Sequence, residues 1–258
     1  MFYQAKEYFK FLLKSTNQHG IHSPFVFDLV TKCFYKKTEN SSYSEYLSYK
    51  NKLLENKNFI KVTDFGAGST VFKSDERQIS RIAKVAGISN KKAKLLIRFV
   101  NYFQPKNSLE IGTSLGLGTA SIYLGNPKSN ITTLEGCPKT ANVAQENFNH
   151  FNFKNIQLFK GDFTITLPKA TKDKTFDFIY FDGNHKKEAT LNYFETCLET
   201  IHNNSIFIFD DIHLSKEMTE AWTIIKKHPK ITVTIDSFYW GIVFFREEQA
   251  KEHFIIRV

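Results

Sequence analysis

From residue 107 onward the chain alternates short apolar runs of β-forming residues with stretches of helical length and periodicity. The runs are SLEIG (108–112), NITTLE (130–135), NIQLFKG (155–161), FDFIYFD (176–182), SIFIFDD (205–211), ITVTID (231–236) and WGIVFFR (240–246). Helical stretches separate the first six, as repeated right-handed βαβ units of a parallel sheet require. Only SFY (237–239) joins the last two. No crossover helix fits there, so the seventh strand must run antiparallel. Ahead of residue 107 the pattern is helical. It predicts helices over 2–14, from Pro24 through Cys33 to Lys36, over 43–57, after Ser74 as an N-cap with Asp75 and Glu76 in the first turn, and over 91–103 before Pro105. The expected fold is α/β, a seven-stranded and mostly parallel sheet with an antiparallel last strand, preceded by a helical N-terminal cap. The expected division is a cap and substrate region at 1–104 and a sheet domain at 105–258.

Composition adds limits rather than a function. At 258 residues, 41% hydrophobic and 24% charged, with 26 Phe, the chain suits a well-buried and unusually aromatic core. No apolar run approaches the ~20 residues that cross a bilayer, so no membrane partner is expected. Lys6, Glu7 and Lys10 interrupt the apolar start, which reads as an amphipathic helix rather than a signal peptide. Cys33, Cys137 and Cys197 are far apart with no CxxC pair, the pattern of reduced thiols in a cytoplasmic protein. The net charge of +9 favours anionic partners such as RNA or phosphorylated metabolites. The lysines are scattered rather than massed, however, and a solvated surface is the simpler account of them.

Two stretches look like a strand entering a glycine-rich turn: DFGAGST (64–70) and LEIGTSLGLGT (109–119). Context favours the second as a cofactor loop. Gly112, Gly116 and Gly118 follow a strand and open a helix, so the backbone turns tightly and lets a ligand approach. Glu135 ends the next strand, where an acid can accept both hydroxyls of a ribose, and Gly161-Asp162 end the third, where a side chain can read an adenine edge. DFGAGST has no such sequel and reads as a structural turn or as a lid over the pocket. His19 and His22 lack acidic or Cys companions at ligand spacing and read as a helix–helix turn.

The succession LEIGTSLGLGT, TLEG, GDF, FDFIYFDGNH and IFIFDDIH with its closing hairpin resembles the class I S-adenosylmethionine-dependent methyltransferases over about 108–246. The resemblance implies a Rossmann-like sheet. It also implies that Glu110, Gly112, Ser114 and Gly116 contact the amino-acid end of S-adenosylmethionine, Glu135 its ribose, and Asp162 with Phe163 its adenine. A nicotinamide dehydrogenase is the distant rival, since a glycine motif alone is weak.

Asp182 ends the fourth strand and Asp210-Asp211 end the fifth, the edge where open α/β sheets place their reactive centre. Three converging carboxylates suit a hard divalent cation, with Mg²⁺ the default. Each also has a plain structural reading: a cofactor-side acid for Asp182, a turn or helix cap for Asp210, a solvated residue for Asp211. The trio is similar to the metal-dependent O-methyltransferases of catechol and caffeoyl-CoA type and to sugar O-methyltransferases with a DD pair. Asp211 stands where catechol-type enzymes carry Asn. His185, three residues after Asp182, is placed to accept a hydroxyl proton, against the plain reading of packing on the helix near Lys186. His213 competes for that role. The function expected is O-methyl transfer to a hydroxylated small molecule. Its rivals are methylation of a hydroxyuridine-type tRNA base and a non-catalytic S-adenosylmethionine-binding protein. Related enzymes are often dimers, which leaves a homodimer open.

Overall fold

The computed structural model describes residues 2–38, 40–63, 65, 72 and 74–258. Apart from Phe65, the DFGAGST turn lies outside the described residues. In chain order the elements begin with helix α1 (Phe2–Lys14), helix α2 (Pro24–Leu29) continued by a π turn over Val30–Phe34, and helix α3 (Asn40–Glu55). Next come strands β1 (Phe59–Lys61) and β2 (Glu76–Gln78) and helices α4 (Ile79–Val85) and α5 (Asn90–Phe103). The alternation then reads β3 (Asn107–Ile111), α6 (Leu117–Gly125), β4 (Asn130–Glu135), α7 (Pro138–His150), β5 (Ile156–Lys160), α8 (Phe163–Thr171) and β6 (Phe178–Phe181). It closes with α9 (Lys187–Cys197), β7 (Ile206–Asp210), α10 (Lys216–Lys227), β8 (Val233–Asp236), β9 (Trp240–Phe244) and β10 (Glu252–Ile255). The chain divides into two compact units, 36–170 and the combination of 1–35 with 171–258.

In the 36–170 unit β3, β4 and β5 pair in parallel, with Glu110 opposite Thr133 and Glu135 opposite Lys160. β3 and β4 are almost wholly buried, and their polar members are paired inside: Ser108 with Ser129, and Thr133 with Glu110. Ser89 caps α5 by accepting the Lys92 N–H, and Gln104 in a left-handed conformation (φ 48°) ends it ahead of Pro105. Tyr46, Tyr49 and Leu53 on one side of α3 are buried. The helix expected to start after Ser74 starts at Ile79 instead. Residues 76–78 pair antiparallel with 59–61, and the Ser74 hydroxyl accepts the Glu76 N–H in the turn ahead of that strand.

The other unit orders its strands β10-β8-β9-β7-β6. β6 and β7 are parallel, and β9 lies antiparallel between β7 and β8, as the short SFY connection demands. β10 adds to the outer edge, parallel to β8, an element the hydrophobic pattern does not predict. Thr16 joins this edge: its N–H donates to Ile255 O at 2.8 Å, and its carbonyl accepts the Arg257 N–H at 3.2 Å. The core is aromatic, with Phe181 stacked on Phe209 at 4.3 Å and Phe194 edge-on to Phe207 and Phe209. All three cysteines are buried and unbridged. Among the described residues no helix is long and apolar enough to cross a membrane.

Gly125, the last residue of α6, shows how tightly α5 packs against it. A Cβ there would lie 2.6 Å from Val100 Cβ and 2.8 Å from the Ile97 carbonyl oxygen. Relief would require backbone movement, because neither atom is a flexible side-chain tip. Gly125→Ala is therefore expected to destabilise the protein by about 1–3 kcal/mol, measurable as a lowered midpoint in thermal or denaturant unfolding.

Candidate active site

The loop leaving β3 is a succession of backbone conformations that ordinary side chains avoid: Gly112 at φ 110°, Ser114 at φ 49° and Gly116 at φ 81°. Hydrogen bonds hold them. Gly112 and Thr113 both donate their N–H to Leu134 O, at 3.0 and 2.9 Å, and Gly116 donates to Thr113 O at 2.8 Å. Gly116 is the N-cap of α6 and offers no side chain, so no side-chain cap serves the first turn of that helix. Its bare Cα faces the protein: a Cβ would come within 2.5 Å of Tyr49 Oη and 2.6 Å of Phe148 Cε1. The Tyr49 hydroxyl in turn donates to Leu115 O at 2.9 Å. Burial, with the Glu110 charge second, raises the Tyr49 phenol well above its ordinary range and keeps it a donor.

Glu135 at the end of β4 completes the loop. Oε2 accepts the Ser114 N–H at 2.7 Å and Oε1 the Cys137 N–H at 2.9 Å. The carboxylate is half-buried, and two acceptor oxygens are the form required to accept a vicinal diol. Phe65 lies against the next residue, its Cδ2 2.8 Å from where a Cβ on Gly136 would sit.

Glu110 in the middle of β3 is fully buried. Its Oε2 accepts from the Thr119 hydroxyl and, at 2.7 Å, from the Thr133 hydroxyl, while Oε1 has no hydrogen-bond partner. Desolvation pushes its pKa up to about 8 against the lowering effect of the two threonines. Asp162 caps α8 through Oδ1, which accepts both the N–H and the hydroxyl of Thr164 at 2.8 Å; these bonds hold its carboxyl below the usual range. Phe163 is the first residue of that helix.

In the other unit, the segment after β6 makes a γ-turn. His185 N–H donates to Gly183 O at 2.9 Å across Asn184, and both Asn184 (φ 70°) and His185 (φ 45°) are left-handed. Asn184 Nδ2 ties the turn to α9 by donating to Tyr193 Oη at 3.2 Å. The result places His185 Nε2 3.6 Å from Asp182 Oδ1, each side chain about a quarter exposed. Two adjacent non-glycine residues in this region cost on the order of 1–3 kcal/mol each, strain that concentrates at functional sites. His185, Gly183, Phe181, Tyr193 and Asp210 line a cavity of about 10 Å³, room for one water.

His213 is built differently. Its Nε2 bonds Asp236 Oδ2 at 2.9 Å, its Nδ1 bonds Thr219 Oγ1 at 3.2 Å, and Phe238 stacks on its ring. Asp236 also accepts from Trp222 Nε1 at 3.2 Å and from the Phe238 N–H at 2.9 Å. With both ring nitrogens engaged, this histidine holds α10 to β8 and has no nitrogen left for a substrate proton.

A family profile described as "Methyltransferase domain" matches residues 109–212, from the glycine loop to just past the second acid pair. That span holds Glu110, Glu135, Asp162, Asp182, His185 and Asp210-Asp211 in the order described above. Residues 109–212 are thus similar to a methyltransferase domain. The fold is that of the class I S-adenosylmethionine-dependent methyltransferases. A catechol O-methyltransferase from Niastella koreensis is 29% identical over 129 residues; the match covers 48% of this chain and 58% of that enzyme's length. The SAH-bound methyltransferase PaMTH1 of Podospora anserina superposes with a TM-score of 0.61 at 17% identity, covering 88% of this chain and 97% of its own. An O-methyltransferase from Bacillus cereus in complex with SAH gives 0.54 at 18% identity, covering 80% and 91%.

The residues of this span fit S-adenosylmethionine: a pinned diol acceptor at Glu135, an unsatisfied buried carboxyl oxygen at Glu110 and an uncapped helix start at α6. They do not fit the Mg²⁺ expected at Asp182, Asp210 and Asp211. Among the described residues no group of three or more His, Cys, Asp or Glu side chains is arranged to hold a metal ion. Asp210 is buried against the small cavity, whereas Asp211 (φ 53°) is half-exposed in the turn beyond. Tyr49 and Asn184 are the residues that sequence reasoning missed. Nothing in their local pattern shows that one touches the cofactor loop and the other shapes the histidine turn.

The raised Glu110 pKa has a sign that can be checked. A carboxyl of pKa about 8 when folded and near 4.5 when unfolded binds more protons folded, so stability falls as pH rises through that interval. Glu110→Gln is expected to flatten this dependence. Unfolding midpoints compared at pH 6 and pH 9 should differ less in the variant, with wild type losing on the order of a few kcal/mol more across the interval.

Proposed function

We propose that this chain is an S-adenosylmethionine-dependent O-methyltransferase acting on a hydroxylated small molecule. The observation that carries the reading is the strained turn that sets His185 beside Asp182 while leaving its other ring nitrogen without a partner among the described residues. When bound, S-adenosylmethionine supplies an electrophilic methyl group. Glu135, fixed by Ser114 and Cys137, accepts the ribose hydroxyls, and the carboxyls of Glu110 and Asp162 serve the amino-acid and adenine ends.

His185 Nε2 faces the Asp182 carboxylate, so the neutral ring is stable with its proton on Nε2, and Nδ1 is the atom that receives the hydroxyl proton. Asp182 Oδ1 stands 3.6 Å from Nε2, too long for a hydrogen bond but within ion-pair range.

Methyl transfer from labelled S-adenosylmethionine to a set of hydroxylated aromatic acceptors tests the reading. His185→Asn should lower kcat by about 10²–10⁴ with the KM for S-adenosylmethionine little changed. Asp182→Asn should lower it less, and a chelator should leave the wild-type rate standing. Full activity in His185→Asn, or turnover abolished by chelator and restored by Mg²⁺, would overturn the assignment.

A further inference from the structure

Lysines from three helices line a groove of about 650 Å³ in the unit formed by 1–35 and 171–258. Lys6 and Lys10 come from α1, Lys187 is the first residue of α9, and Lys216 is the first residue of α10; the groove's acids are Glu7 and Glu220. Two of the lysines are held in tight pairs, Lys10 to Glu7 at 2.7 Å and Lys187 to Glu220 at 2.8 Å. Lys216 is looser, 3.9 Å from Glu220 with four-fifths of its side chain exposed, and Lys6 has no ion-pair partner among the described residues. The groove therefore carries two cations beyond its acids. Lys186, the N-cap of α9, makes no side-chain cap bond, so the N–H groups at the start of that helix add to the positive field.

Resting on the O-methyltransferase reading, we infer that this groove binds the anionic group, a carboxylate or a phosphate, of the methyl acceptor. Lys187 follows His185 by two residues, and two residues of chain span at most ~7 Å, which places one wall of the groove near the histidine along the chain. A single anion matches the two uncompensated lysines. An RNA backbone does not, because successive phosphates would meet Glu7 and Glu220.

Binding and turnover read the inference separately. Binding of 3,4-dihydroxybenzoate and of its neutral methyl ester is measured by calorimetric titration of the full chain, and methyl transfer to each is measured in parallel. Inorganic phosphate serves as competitor. The acid is expected to bind about tenfold more tightly than the ester and to be displaced by phosphate. In the Lys6→Ala/Lys216→Ala double variant, altered only at exposed positions, the preference should fall to near unity with the unfolding midpoint unchanged. A 3,4-dihydroxyphenyl phosphate gives the phosphate arm, and whichever of the two binds more tightly names the group. Equal binding of acid and ester, a preference that survives in the double variant, or displacement by tRNA but not by phosphate would each overturn the inference. Charge-selective binding without methyl transfer to any acceptor would leave the groove standing and remove the O-methyltransferase reading instead.

Discussion

The carboxylate of Glu135 is shared between two backbone N–H groups from different turns, Ser114 at 2.7 Å and Cys137 at 2.9 Å. Ser114 adopts a left-handed conformation that a serine reaches only at a cost, and a charge-assisted bond at this length is among the stronger interactions able to offset it. The same carboxylate fixes the start of α7, because Cys137 is the N-cap residue of that helix and supplies no cap bond of its own. Loop shape, strand end and helix entry are thus set by one side chain. The rest of the loop follows from it. Thr113 and Thr133 share a hydroxyl contact at 2.6 Å, and Thr133 passes the network on to Glu110 beneath the loop.

The two histidines near the acidic strand ends illustrate how one residue type divides between architecture and chemistry. His213 spends both nitrogens on Asp236 and Thr219 under a stacked phenylalanine. That arrangement rigidifies the segment and removes the ring from proton traffic. His185 sits on a backbone that resists its own conformation, keeps one nitrogen toward Asp182 and leaves the other unpartnered among the described residues. Strain retained beside an incompletely satisfied polar group is the combination expected where a ligand completes the site.

Much of this was legible in the sequence because a strand covered on both faces must be apolar throughout. IFIFD and FIYF admit no other reading once helical stretches separate them. The antiparallel β9 followed from the length of SFY alone. The pairs β1–β2 and β8–β10 were not legible: FIK, ERQ and EHFI are partly exposed edge segments whose pattern neither alternates nor runs apolar. Side-chain direction was hidden for a different reason. Adjacency of Asp210 and Asp211 in the sequence suggested a shared ion, whereas Asp210 ends the buried strand and Asp211 stands half-exposed in the left-handed turn that follows. Tyr49 could not be found at all, since its contact with Leu115 joins positions 66 residues apart.

Thr16 meets Ile255, its partner 239 positions away, and Tyr35 reaches the carbonyl of Arg257 across a gap of 222. A ribosome releases the first of each pair long before it makes the second. Until then the leading helices of this unit have none of these edge contacts, and their apolar side chains, Phe11 among them, wait without their final neighbours. Closure of such distant loops is slow. The leading segment is thus the part of the nascent chain most in need of shielding during synthesis, and the last to become native.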